Sequence, residues 1–95
     1  MSRPLPVRTS IERTLNIKIS TSLPNIDKVA MLEWMLTQPA SEISRINDRS
    51  ETPAFIGICA GMLLQNKMVE YMQVLSLCRE MASEDDKRSK DTVSA

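Results

Sequence analysis

The sequence predicts a mainly α-helical fold with one short N-terminal β-strand, and three observations lead there. Aliphatic residues recur at spacings of three and four over residues 26–46 and again over 64–82, the period of helices with one apolar stripe. The period falls to two only within "TLNIKIS", residues 14–20. Hydrophobic residues are 42% of the chain but aromatics only 3%, with seven methionines, so the core must be built from adaptable aliphatic and thioether groups. The expected order is strand, two short helices and one long C-terminal helix bent near residues 65–67, assembled as an oligomer.

Residues 1–12 read as a flexible basic arm, because Pro4 and Pro6 cannot donate backbone hydrogen bonds and few apolar groups tie the segment down. The strand follows. Leu15, Ile17 and Ile19 alternate with Asn16, Lys18 and Ser20, which gives one buried face. A lone strand cannot satisfy its own ladder, and nothing else in the chain reads as its partner. A second copy is the simplest supplier.

Helix one is expected from about Ile26 to Gln38, with Asn25 as N-cap and Asp27 near the positive end of the helix. Its stripe is Ile26, Val29, Leu32 and Met35, widened by Ala30, Trp34 and Leu36. Pro39 ends it. "PASEISRIND" makes a short second helix with Ala40, Ile43 and Ile46 on one face. Thr52 and Pro53 then open the long helix, expected from Pro53 to about Ala82 and bending at "QNK". Along it Leu64, Met68, Tyr71, Leu75, Cys78 and Ala82 step as an a/d seam, with Val74, Leu77 and Met81 as a second stripe. Residues 83–95 carry many charges and few apolar groups, so a disordered tail is expected there. That leaves residues 13–82 as a single domain of about seventy residues, a size at which burial is marginal for one chain.

The eleven residues "AFIGICAGMLL", Ala54 to Leu64, carry no charge in a chain that is 25% charged. "ASEISRIND" followed by "SETPAFIGICAGMLLQNKMVEY", which contains this run, loosely resembles winged helix-turn-helix modules over about thirty residues. The resemblance departs at the recognition helix, whose start needs polar side chains for base edges and phosphates. Here that start is Ala54, Phe55, Ile56, Gly57 and Ile58. "TLNIKIS" is similar in alternation to the strand of ribbon-helix-helix proteins, a resemblance that implies a strand paired with its twin and pointing Asn16 and Lys18 at bases. That family passes directly from its first helix to its second, whereas "PASEISRIND" is interposed here.

Packing is the remaining use for the apolar run. Gly57 and Gly61 stand four apart and with Ala54 form a groove of small side chains that suits close approach of another helix. Alternatively, the glycines make room for Trp34 or Met35 within one core.

The formal net charge is zero, which excludes a wholly basic nucleic-acid-binding surface. Residues 1–20 nevertheless carry four basic residues against one acidic. Histidine is absent, which removes the commonest general base and zinc ligand. The only two glycines lie in a helix, so no phosphate-cradling loop is built. Glu12, Glu33 and Glu42 have no pairing in their spacing, and Cys59 sits in an apolar run where a thiol is inert. An enzyme, a cofactor and a small-molecule substrate are not expected. The N-terminal "MSRPLPVRTSIER" has no apolar run of signal-peptide length, and the longest uncharged run is too short to span a membrane as a helix. Cys59 and Cys78 would lie roughly 28 Å apart on one continuous helix, too far for a disulfide, and two free thiols suit a reducing cytoplasm.

These readings lead to a small non-enzymatic regulator or adaptor, of the antirepressor, anti-sigma or inhibitor kind, that binds itself and another protein. The expected interface residues are Phe55, Gly57, Ile58, Gly61, Met62, Met68, Tyr71, Leu75 and Cys78. The alternative is a DNA-binding regulator that uses Arg3, Arg8, Arg13, Asn16 and Lys18.

Overall fold

The computed structural model describes the backbone of residues 7–94 and the side chains of residues 8–87. Five helices occur among the described residues: α1 (Val7–Leu15), α2 (Asn25–Met35), α3 (Ala40–Asp48), α4 (Ala54–Leu64) and α5 (Met68–Ser94). No strand occurs among them, which overturns the expected N-terminal strand. Residues 7–12 of the expected arm are helical, and α5 continues through residues 83–94.

The alternation in "TLNIKIS" was read correctly for burial and wrongly for partner. Ile17 and Ile19 are buried while Lys18 and Ser20 are exposed, as in a strand with one inner face. The backbone groups, however, are met by side chains of the same chain. The Glu12 carboxylate accepts from the Ile19 N–H at 2.7 Å and the Ser20 N–H at 3.4 Å. The ammonium of Lys28 donates to the Ile19 carbonyl. With a carboxylate on one side and an ammonium on the other, the segment needs no neighbouring strand. The reason for expecting a second copy at this point disappears.

Two asparagines set where helices end. Asn16 (φ 53°) and Asn66 (φ 60°) are left-handed, and each is followed by a residue whose N–H reaches back five positions, Ile17 to the Glu12 carbonyl at 3.1 Å and Lys67 to the Met62 carbonyl at 2.8 Å. These are Schellman endings, with asparagine in the place glycine more often takes. The second one cuts the expected long helix into α4 and α5. Because the chain turns there, the separation argued for Cys59 and Cys78 on one continuous helix does not apply. Both free thiols lie fully buried in the same core.

Prolines start three of the helices. Pro24, Pro39 and Pro53 occupy the N-cap positions of α2, α3 and α4, and their carbonyls accept the first-turn N–H groups. A residue with no N–H and a fixed φ costs nothing at such a start. Thr52 instead donates its hydroxyl to the Ile46 carbonyl at 2.8 Å, closing the end of α3.

α5 is the axis on which α1, α2 and α4 pack, and α3 lies against α4. Of the expected seam, Tyr71, Leu75 and Cys78 are fully buried, as is Val74 of the second stripe, whereas Ala82 is half-buried and Leu64 and Met68 are exposed. Tyr71 also donates its hydroxyl to the Leu32 carbonyl, in the last turn of α2, where helix carbonyls have no intrahelical donor. An exposed Arg79–Glu33 pair at 2.8 Å joins the same two helices and adds at most about 1 kcal/mol.

On α2 the stripe is shifted from expectation. Val29, Leu32 and Met35 are buried, but Ile26 is 65% exposed, and Lys28 is buried instead. Lys28 also donates to Asn25 Oδ1 at 3.2 Å, and its ammonium lies 5.5 Å from the centre of the Phe55 ring. Asn25, expected as an N-cap, sits inside the helix and donates to Asp85 Oδ2 of α5 at 2.8 Å.

Two expectations follow. Glu12→Ala removes the charged acceptor of the Ile19 N–H and should cost about 1.5–3 kcal/mol in urea unfolding, with Glu12→Gln losing less. Burial pushes the Cys59 thiol up to about 12 and the Cys78 thiol up to about 11, from an ordinary value of 9.0, and raises the Tyr71 phenol as well. Above about pH 9 the unfolded chain releases protons that the folded chain keeps, so these groups make stability fall as pH rises. Lys28, lowered by burial, acts in the opposite sense as pH approaches 10.5. With three groups against one, the urea midpoint should fall between pH 9.0 and 10.5, and Cys59→Ala should flatten that slope.

Candidate functional site

The apolar residues that the fold leaves outside indicate where the molecule can meet something else. Among the described residues eight large hydrophobic side chains are exposed, and five of them, Leu36, Leu64, Met68, Val69 and Met72, gather around the junction of α4 and α5. The Schellman turn at Asn66 produces this gathering, because it puts the end of α4 beside the start of α5.

Two grooves meet there and share Met68. The first, of about 690 Å³, runs between α1 and α5, with Ile11 on one wall and Met68, Val69, Met72 and Leu77 on the other. Gln73, Ser76 and Glu80 complete it. The second, of about 260 Å³, is lined by Met35, Leu36, Ile43, Leu63 and Leu64, again with Met68. Exposed apolar area of this kind, contiguous and partly built from methionine, is characteristic of surfaces that adapt to a protein partner.

A third cleft, of about 780 Å³, is polar and mixed in charge, with Arg8 and Lys28 lining it along with Glu84 and Asp85. Arg8, Asn25, Lys28 and Asp85 are already engaged with groups of the cleft itself. Arg8 donates to Ser20 Oγ at 2.9 Å, and Asn25 joins Lys28 to Asp85. Among the described residues no group of three or more His, Cys, Asp or Glu side chains is arranged to hold a metal ion. No helix among them is long and apolar enough to cross a membrane.

The expected interface residues divide into two groups. Phe55, Met62, Tyr71, Leu75 and Cys78 are core residues, buried by α2 and the other helices. Met68 and Ile58 are exposed, and Gly57 and Gly61 are half-buried. Reading the seam as an external contact missed Val69 and Met72, which lie on the opposite side of α5. The signal was available: two apolar residues next to the seam but off it have no place in a core the seam already fills.

Neither glycine makes room for Trp34 or Met35. A methyl group added at Gly57 meets nothing within 4 Å, and one at Gly61 meets only the side chains of Gln65 and Asn47, at 3.7 and 3.8 Å.

The described residues among those expected on DNA lie on α1 and the turn that follows it, without the strand that was to present them. Asn16 is the left-handed residue that ends α1, Arg8 is bonded to Ser20, and Arg13 and Lys18 are exposed on either side of that turn. Arg3 lies outside the described residues. The strand that the ribbon-helix-helix resemblance requires is absent from the described residues, and Phe55 and Ile56, where a recognition helix would read bases, are buried.

Because Gly57 has open space beside it and an ordinary helical backbone, Gly57→Ala should stabilise the isolated chain by about 0.5–1 kcal/mol. Thermal or urea unfolding reads this directly, and a loss of stability would mean that the position is constrained in a way the fold does not account for. A comparison with protein-family models, curated proteins and solved structures finds no match to this chain, so the reading of the surface rests on its own residues.

Proposed function

We propose that this chain is a small non-enzymatic regulatory or adaptor protein, and that it acts by binding another protein through the apolar face at the start of α5. One observation carries the reading: of the eight large hydrophobic side chains exposed among the described residues, five converge on one face and line two adjoining grooves. Burying a side chain such as Met or Leu contributes roughly 1.5–3 kcal/mol, so a few of them supply a useful affinity. Roles in which one protein sequesters or bridges another fit such a surface. Two buried, unpaired thiols fit a reducing, cytoplasmic setting for that role.

The face is separable from the fold, which makes the reading testable. Met72 and Val69 are exposed, so Met72→Glu and Val69→Glu should each change unfolding stability by no more than about 0.5 kcal/mol. A benzophenone side chain introduced at position 72 should form an adduct with a different protein chain in the native cell, and one at exposed Ser41 should not. Val69→Glu should remove the adduct. Equal labelling from both positions, or none from position 72, would contradict the proposal.

A further inference from the structure

We infer that the occupant of the groove between α1 and α5 is an amphipathic helix of another protein, with a basic residue at its Glu80 end. The inference rests on the reading of this face as a protein-binding surface and names what kind of segment fits it.

The walls dictate the secondary structure of the occupant. Ile11 stands on one side, and Val69, Met72, Ser76 and Glu80 form a line along the other at helical spacing. Both walls are helices whose mid-helix N–H and C=O groups are already paired, and among the described residues there is no sheet edge. An extended peptide laid here would find no backbone partners and would bury its own unsatisfied groups. A helix brings its backbone bonds with it. From Val69 to Glu80 the line is about 16 Å long, which accommodates about three helical turns.

The side chains dictate the chemistry. Ile11, Met68, Val69, Met72 and Leu77 ask for aliphatic residues on one face of the incoming helix, and three of these five are exposed in the free chain. Among the described residues Glu80 is the one charged side chain lining the groove, so a lysine or arginine at that end is favoured and an acidic residue is repelled. α1 is itself a helix seated on α5 beside this groove, with Ile11 and Leu15 packed against the core. A second helix alongside continues the same layer.

The test uses the full chain and two synthetic helical peptides with identical leucine faces, one bearing lysines and the other glutamates at the remaining positions. Fluorescence anisotropy at physiological ionic strength should give roughly ten-fold tighter binding of the lysine peptide, a difference of about 1.4 kcal/mol. Glu80→Lys should reverse the order, Met72→Glu should abolish binding of both peptides, and Ile26→Glu on the outer face of α2 should change neither. Equal affinity for the two peptides, or binding that survives Met72→Glu, overturns the inference. So does a dimer, seen by light scattering, that Met72→Glu dissociates, because the occupant is then a second copy. If the peptides fail while position 72 still cross-links to another protein, only the helical occupant is wrong. If both fail, the protein-binding reading of the face falls as well.

Discussion

The packing of residues 7–24 ahead of α2 depends on how the backbone at Ile19 is held. Its N–H points to a carboxylate from α1 and its carbonyl to a buried ammonium from α2, so two charged side chains do what a neighbouring strand would otherwise do. Lys28 reaches that carbonyl from the core, where its stem fills space beside Phe55 and its charge is spread over two oxygen acceptors and an aromatic face. Through Asn25 the same group is connected to Asp85 on α5. One buried cation thereby connects the N-terminal segment, α2 and the long helix.

A second constraint comes from the middle of the molecule. The Tyr71 hydroxyl takes a carbonyl at the end of α2 that the helix itself leaves without a donor, in a core whose other hydrophobic side chains are, Phe55 apart, aliphatic or sulfur-bearing. With so few aromatics in the chain, the alignment of α2 on α5 is fixed by this polar contact as well as by packing. The side chains gathered at the α4–α5 junction, Leu36, Leu64, Met68, Val69 and Met72, have no polar group that could form a comparable anchor.

Much of the fold was legible in the sequence. Periodicity located α2 and α3 within a few residues, and the seam Tyr71, Leu75, Cys78 was correctly singled out as the packed face of α5, although it was assigned to contact with another chain. The strand was not legible as anything else, because alternation reports which side chains are buried and says nothing about what bonds the backbone. Recognising the alternative would have required knowing that Glu12 and Lys28, seven residues before Ile19 and nine after it, converge on one peptide unit. The break at residue 66 was partly legible as "QNK", but left-handed residues are looked for at glycine. In this chain the assignments are exchanged: both glycines are helical and two asparagines turn the chain. The apolar face was missed for a related reason, since a reading that sends the seam outward leaves Val69 and Met72 with nothing to explain.

The turn at Asn66 also fixes the rotational phase of α5. Each residue of an α-helix advances the azimuth by about 100°. Inserting or deleting one residue between Leu64 and Met68 would rotate the whole of α5 by that angle relative to α4. Tyr71 and Leu75 would swing out of the interior, and part of the Val69–Met72 side would swing in. The same three-residue connection that makes the surface therefore also determines which side of the long helix is inside, and its length cannot drift without exchanging core for surface.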